Sequence, residues 1–152
     1  MMREPEIREL AVQPAAVEHT VTDAVGLPAT IDRAFPALFG RLAKLGVTPS
    51  GPPFIRYLEA GERIEIQLGV PVSPGVGQLE GAEEMSLPAG RAAVLRYIGP
   101  YQGLHEAFEQ LRSWVEERGE TTAGPYWEVY VTDPRKEPDA CKWITDIYQP
   151  LR

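Results

Sequence analysis

The sequence predicts an α+β fold, built as a tandem duplication of a strand–helix–strand–strand module. One observation is a repeat: residues 31–57 match residues 104–130 without a gap, with eight identities in 27 positions. A second observation is that each copy contains an amphipathic helical stripe followed by two short strand-like segments. We expect one domain over residues 1–152, with repeats at about 1–73 and 74–152. Each module would form an antiparallel sheet covered by one helix, with a cleft between the modules.

The repeat becomes visible when 73 is added to each position of the first copy. Flanking blocks extend the match in the same order: "PAAVEHT" resembles "RAAVLRY", and "IEIQLGVPV" resembles "WITDIYQPL". Three blocks in one order favour two copies of one unit over chance similarity. The identical pairs are Ala34 and Ala107, Phe35 and Phe108, Leu38 and Leu111, Gly46 and Gly119, Thr48 and Thr121, Gly51 and Gly124, Pro52 and Pro125, and Tyr57 and Tyr130.

Each copy has one helix, indicated by apolar residues at helical spacing. In the second copy the stripe consists of Leu104, Phe108, Leu111 and Val115, and the first copy carries Ile31, Phe35, Leu38, Leu42 and Leu45. Gly46 and Gly119 follow these stripes. Because glycine accepts the left-handed conformation, both are expected to end their helices.

Strands are expected before and after each helix. "RAAVLRYIG" precedes the second helix, and two strands then follow in each copy: "PFIRYLE" with "RIEIQLGVPV", and "YWEVYVT" with "KWITDIYQPL". An extra strand could precede each copy, at "EIREL" and "GVGQLE". "GVPVSPGVG" is expected to link the modules because it is rich in turn-forming residues.

The segment "GPYWEVY" carries the residue that most suggests a function. Side chains alternate along a strand, so Trp127, Val129 and Val131 are expected on the core side with the helix. Tyr126, Glu128 and Tyr130 would then lie on the opposite face. In the next strand Trp143 and Ile147 are expected on the core side, and Ile144, Asp146 and Tyr148 opposite.

The first copy differs from the second at the position of this glutamate. Ile55 and Tyr57 occupy the places of Glu128 and Tyr130. An apolar residue at this position would be enough to stabilise the fold, so the carboxylate of the second copy suggests a function. The alternative is that Glu128 is a solvated glutamate on an exposed strand. Arg56 falls on the face that Val129 assigns to the core. Either that strand twists outward or the face assigned to the first copy is wrong.

The expected hairpin register sharpens the question about the glutamate. If Thr132 pairs with Lys142, Glu128 lies directly opposite Asp146. Two like charges across a strand pair are unfavourable. Either the register differs, or one carboxyl has a raised pKa, or a cation is bound there.

Composition narrows the class of protein. The formal charge of −7 argues against direct nucleic-acid binding, and no apolar run is long enough to cross a membrane. The first residues lack the features of a signal peptide. Cys141 is the only cysteine, so an internal disulfide is impossible and the cytoplasm is expected. With one cysteine and two distant histidines, we expect no metal site and no cofactor.

The chain resembles the GyrI-like small-molecule-binding family, the effector-binding domain of bacterial multidrug-responsive activators. The resemblance rests on "GPPFIRY", "GPYWEVY", "LPAGRAAVLRYIGPYQGLHEAFEQL" and "WITDIYQPL", and it covers nearly the whole chain. It implies two fused modules with a ligand cleft, in which Glu128 is the electrostatic anchor for lipophilic cations. Many relatives carry this domain behind a DNA-binding domain, which is not seen here, so we expect a stand-alone form.

The resemblance and the face assignment together give the candidate ligand-binding residues. They are Glu128, Tyr57, Tyr126, Tyr148, Tyr130, Ile55 and Asp146, with Tyr101 and Phe39 as weaker candidates.

Three functions remain open from the sequence. The first is a binding module, a multidrug sensor or sequestering protein for lipophilic, aromatic or cationic compounds. The second is a hydrolase, because some similar stand-alone proteins open strained cyclopropane-type DNA-alkylating compounds, and Glu128 would then be the general base. The third is a protein-interaction module with an unknown partner.

Overall fold

The computed structural model describes residues 2–152, and the chain divides into two compact units. Unit 1 comprises the amino-terminal residues up to Ala11 together with Ala89–Arg152, and unit 2 comprises Val12–Pro88. The chain therefore enters unit 1, passes through the whole of unit 2 and returns to unit 1.

Unit 2 contains five antiparallel strands and one helix. In chain order they are β2 (Gln13–Thr22), α1 (Leu27–Lys44), β3 (Phe54–Ala60), β4 (Ile64–Pro71), β5 (Gln78–Leu79) and β6 (Ala82–Leu87). Side by side, the strands run β3–β4–β2–β6–β5.

Unit 1 contains four antiparallel strands and one long helix. They are β1 (Glu6–Leu10), β7 (Gly90–Ile98), α2 (Leu104–Glu117), β8 (Trp127–Tyr130) and β9 (Ile144–Pro150). The strands lie in the order β1–β7–β9–β8. Two 3₁₀ turns, Tyr101–Gly103 and Ala140–Lys142, stand before α2 and before β9.

The mixed α and β architecture, with antiparallel strands and one helix per unit, is confirmed. Each unit contains the expected order of strand, helix, strand and strand. The limits of the units differ from those of the sequence repeat, because β1 at the start of the chain pairs with β7 in unit 1. Strand β6, which pairs with β2, was not predicted because its segment "AEEMSL" lacks regular alternation. Descent from a duplication and two separate sheets stay predictions.

Residues of the predicted helical stripes form the helix side of both cores, except that Leu45 lies just after α1 and is 58% exposed. In unit 2, Leu38 and Leu42 of α1 pack with Ala16 and Val70. In unit 1, buried residues of α2 pack with strands β7 and β9. The α2 residues are Leu104, Ala107, Leu111 and Val115, and the strand residues are Ala93, Leu95, Tyr97 and Ile147.

Each helix ends two residues before its predicted glycine, which takes the left-handed conformation. Gly46 and Gly119 each have a φ of +70°, which is costly for residues with a β-carbon. After α1, the amide of Val47 donates to the carbonyl of Leu42 at 2.9 Å, and that of Gly46 to Ala43 at 3.1 Å. Gly119 and Glu120 make the equivalent bonds after α2, so both ends are Schellman motifs.

The register of β8 on β9 is one residue away from the expected one. Glu128 pairs with Ile147 and Val129 pairs with Asp146, so the two carboxylates are not opposite each other. The pairing is regular along the whole of β8, so the expected register was wrong because residue counting alone does not fix how two strands pair. Just beyond β8, the amides of Val131 and Thr132 both donate to the carbonyl of Ile144, at 3.0 and 3.3 Å.

This shift corrects the face assigned to β8. Paired residues on neighbouring antiparallel strands point to the same side, and Ile147 belongs to the core under α2. Glu128 therefore faces α2, whereas Trp127 lies on the other side beside Tyr148, although it is buried as expected for a core residue. Val131, expected in the core, lies beyond the end of β8 and is 38% exposed.

The same correction applies to β3 in unit 2. Ile55 pairs with Leu68, whose side of β4 carries Val70 of the α1 core, so Ile55 also faces the helix. Phe54 and Arg56 lie on the other side, where Arg56 donates a long hydrogen bond of 3.4 Å to Gln67. The conflict between Arg56 and Val129 disappears, because both lie on the side away from their helix.

The left-handed helix ends give a stability prediction. Gly46→Ala is expected to lower the free energy of unfolding by roughly 1 kcal/mol, because a β-carbon at this φ is strained although nothing lies within 4 Å of it. Gly40→Ala is the control, since Gly40 is exposed inside the same helix with equal space around it. It should raise stability by about 0.5–1 kcal/mol. Urea unfolding measures both, and a loss at Gly40 equal to that at Gly46 would contradict the account.

Candidate functional site: an aromatic cage around Glu128

Glu128 is a buried carboxylate in the middle of β8. Its side chain faces α2, and the residue is only 6% exposed. The hydroxyl of Tyr130 donates a hydrogen bond to Glu128 Oε1 at 2.8 Å. Glu128 and Tyr130 point to the same side because they are two residues apart on one strand. The strand itself thus places a phenol beside the carboxylate.

Aromatic rings extend from Tyr130 towards the start of α2. Tyr101 packs edge-on against Tyr130 with ring centroids 5.8 Å apart, and it also contacts Trp143 at 4.9 Å. A second pair stands just before β8, where Tyr126 stacks on Phe108 of α2 at 4.0 Å. We name this group the Glu128 cage: Glu128, Tyr101, Phe108, Tyr126, Tyr130 and Trp143.

Local contacts hold the cage residues in place. Tyr101 opens the 3₁₀ turn before α2, and Tyr97 supports this turn by donating a hydrogen bond to the carbonyl of Pro100 at 2.7 Å. Gly103 leaves room for that phenol, since a β-carbon there would lie 2.0 Å from the Tyr97 hydroxyl. Trp143 is fixed by its indole N–H, which donates to the carbonyl of Glu137 at 2.8 Å.

The tyrosines of the cage are neutral walls beside a carboxylate. Burial raises the pKa of Tyr126 well above its ordinary value, and the nearby Glu128 and Glu109 raise it further. The pKa of Tyr101 is also raised, first by burial and then by Asp133 and Glu128. Because both phenols resist ionisation, they add no negative charge of their own at neutral pH.

Asp146 and Tyr148, two other candidates, lie on the opposite side of the strands in unit 1. Asp146 accepts two hydrogen bonds from Arg96, at 2.8 and 2.9 Å, so its charge is neutralised by a bidentate partner. Tyr148 stacks on Trp127 with ring centroids 5.5 Å apart. The expectation that Glu128, Asp146 and Tyr148 share one face is therefore wrong, because the one-residue register shift turns β8 over relative to β9.

The remaining candidates belong to unit 2. Ile55 is fully buried, and Tyr57 pairs with Ile66 on the α1 side of β3. Phe39 of α1 packs against the core of unit 2, and the centre of its ring lies 6.5 Å from that of Phe35. Within unit 2, Ile55 and Tyr57 hold the places that Glu128 and Tyr130 hold in unit 1.

Two cage residues were not among the candidates. Phe108 belongs to the predicted helical stripe, where its apolar character was attributed to the core alone. Trp143 was assigned to the core side, which is the side of α2, but its contact with Tyr101 depends on a turn that the sequence did not reveal. Had Glu128 been assigned to the α2 side, both would have become candidates.

Residues 2–152 lack two further features, a metal-binding cluster and a membrane-spanning helix. No group of three His, Cys, Asp or Glu side chains within this range could hold a metal ion. In the same range, neither helix is long and apolar enough to span a membrane.

Comparison with known proteins gives the family. The family model for the GyrI-like small molecule binding domain matches residues 3–152 of this chain. The chain belongs to the GyrI-like family. No curated protein matches it in sequence. Family membership gives the general activity, small-molecule binding, without naming a ligand.

Solved structures share the GyrI-like fold at low sequence identity. The EcmrR C-terminal domain is 21% identical with a TM-score of 0.85, over 98% of this chain and 97% of that one. EcmrR in its complex with DNA is 19% identical, with a TM-score of 0.87. That match covers 98% of this chain but only 57% of the longer EcmrR chain. SAV2435 bound to tetraphenylphosphonium is 12% identical, with a TM-score of 0.69 over 99% of this chain and 94% of that one. A hydrolase from Listeria innocua is 15% identical, with a TM-score of 0.67 over 99% and 92%.

The hydrogen bond between Tyr130 and Glu128 gives a second stability prediction. Tyr130→Phe removes the donor, and we expect the free energy of unfolding to fall by about 1–2 kcal/mol, because a buried carboxylate loses a partner. Tyr101→Phe is the matched control, since its hydroxyl makes no hydrogen bond within residues 2–152. Urea unfolding followed by circular dichroism compares them, and equal stabilities of the two variants would show that the bond contributes little.

Proposed function

We propose that this GyrI-like protein binds lipophilic cations, with the charged centre of the ligand beside Glu128 and its aromatic groups against the cage. The observation that carries the proposal is a glutamate that is 6% exposed, that accepts a hydrogen bond from Tyr130 and that lies near enough to Tyr101 and Tyr126 to raise their pKa values. Tyr57, Ile55 and Phe39 of unit 2 stay ligand contacts proposed from the sequence, which the present proposal for unit 1 does not use. Asp146 and Tyr148 are no longer favoured as contacts, because they lie on the other face from Glu128.

Desolvation explains why such a site prefers lipophilic cations. Removing a carboxylate from water is costly unless a partner compensates. Small inorganic cations are themselves strongly hydrated, whereas a bulky cation with diffuse charge loses little hydration on entering an apolar cage. Each tyrosine or tryptophan face adds a cation–π attraction of roughly 0.5–2 kcal/mol. A fold shared with SAV2435, whose structure contains tetraphenylphosphonium, supports this ligand class.

The proposal includes a sensing or sequestering role. EcmrR, whose C-terminal domain has this fold, forms a complex with DNA. We propose that the present chain supplies the ligand-binding function and binds no nucleic acid itself, in keeping with its net charge of −7. The single cysteine supports a cytoplasmic location as part of the same proposal.

Replacement of the carboxylate tests the proposed site. Glu128→Gln should weaken binding of tetraphenylphosphonium by roughly 10- to 100-fold, because the amide keeps the shape but loses the charge that a desolvated cation needs. Isothermal titration calorimetry measures the affinity. Triphenylphosphine oxide, which is neutral, should bind the variant and the original chain about equally.

A charge-matched variant guards against a general electrostatic effect. Glu116→Gln removes one negative charge from an exposed position on α2, outside the cage. This variant should bind tetraphenylphosphonium with an affinity within about twofold of that of the original chain, because exposed charges are screened by solvent and salt. Unchanged affinity in Glu128→Gln, or an equal loss in Glu116→Gln, would exclude the cage as the cation site.

A hydrolase is the second candidate, and the fold shared with a Listeria innocua hydrolase favours it. Here Glu128 would accept a proton from a water molecule whose oxygen bonds to one ring carbon while a strained C–C bond breaks, and the proton would then pass to the part of the compound that keeps the electron pair of that bond. The Tyr130 hydroxyl would orient the carboxylate. Incubation with a cyclopropane-containing alkylating compound, followed by mass spectrometry, separates the two functions. A product heavier by one water, lost in Glu128→Gln, supports hydrolysis; unchanged compound supports binding alone.

A further inference from the structure

Unit 1 contains a groove that is separate from the Glu128 cage. It is a groove of about 520 Å³ between the amino-terminal segment, residues 2–5, and the outer side of α2. No residue of the cage lines it. The volume lies within the range of roughly 300–1,000 Å³ that is usual for small-molecule sites.

The floor of the groove is apolar. Leu95 is buried beneath it, and Met2 and Trp114 pack against the same core of unit 1. Trp114 already contacts a cation, because the guanidinium of Arg118 lies 4.6 Å from the centre of its ring. The floor thus combines surface for aliphatic chains with an aromatic ring that attracts positive charge.

The rim of the groove carries carboxylates from both walls. Glu4 comes from the amino-terminal segment, and Glu106 and Glu117 come from α2. None of these three takes part in a hydrogen bond or ion pair within the part of the chain that the structure describes. Glu109 differs, because Arg112 donates to it at 2.7 Å. Arg3 is the only basic residue that lines the groove, so its net charge is negative.

The spacing of the carboxylates defines the shape of a suitable ligand. Glu106 and Glu117 are eleven residues apart, which is close to three helical turns, so they lie on one side of α2 about 16 Å apart along its axis. A compact cation with one charge can reach only one of them. A linear molecule with several charges separated by aliphatic segments matches both the rim and the floor.

We propose that this groove binds linear aliphatic polyamines. Terminal ammonium groups would pair with Glu106 and Glu117, an inner amine would lie near Glu4, and the methylene segments would pack on Met2 and Trp114. This site is independent of the proposed cation site in the cage, so either proposal can fail alone. A single-charge aromatic cation such as tetraphenylphosphonium is not expected to occupy the groove.

Nuclear magnetic resonance titration with spermine at low ionic strength tests the proposal. The indole N–H signal of Trp114 should shift on addition of spermine. The double variant Glu106→Gln/Glu117→Gln should weaken binding only roughly tenfold, because the two ammonium–carboxylate pairs that it removes are exposed to solvent. Glu62→Gln/Glu116→Gln is the matched control: it also removes two exposed negative charges, neither of which lines the groove. Its affinity should stay within about twofold of the original chain.

Further measurements separate this groove from the alternatives. Binding should persist with saturating tetraphenylphosphonium and in Glu128→Gln, and it should weaken as salt is raised from 0.01 to 0.15 M, as screening predicts. The proposal is wrong if the Trp114 signal does not move, if the control pair loses as much affinity as the groove pair, or if tetraphenylphosphonium displaces spermine. Tighter binding of a lysine-rich peptide through Glu106 and Glu117 would instead identify a docking site for a protein segment.

Discussion

The pairing of β8 with β9 is the constraint on which the candidate site depends. Glu128 lies opposite Ile147, and Ile147 is part of the core beneath α2. Because side chains alternate along a strand, a slip of one residue would turn Glu128 and Tyr130 away from the helix and bring Trp127 towards it. The strand register thus decides which side of unit 1 contains the carboxylate.

The two carboxylates of this strand pair have opposite chemical situations. Asp146 is 5% exposed, and both of its carboxylate oxygens accept hydrogen bonds from the guanidinium of Arg96. Its negative charge is therefore already compensated within unit 1. Glu128 is about as buried, and the hydroxyl of Tyr130 donates to it. This donor is a neutral phenol, whereas the donor to Asp146 is a charged guanidinium. We therefore propose Glu128, and not Asp146, as the residue beside which an external cation binds.

The sequence predicted the elements well because their signals are local. The apolar stripes of α1 and α2, the glycines at +70° and most strands follow from periodicity and from the conformational freedom of glycine. The faces of β3 and β8 were wrong because alternation gives two faces without saying which one meets the helix. The position of Arg56 signalled this conflict. The contact between Trp143 and Tyr101 depends on a turn held by Tyr97 and Pro100, which no local pattern encodes.

The most direct test of the central claim is a crystal structure of the protein with tetraphenylphosphonium. The account predicts the phosphorus atom on the α2 side of β8, beside the Glu128 carboxylate, with phenyl groups against Tyr101, Tyr126 or Tyr130. A ligand bound on the other face, against Trp127 and Tyr148, would contradict the account, because Glu128 faces α2 and would then not contact the ligand.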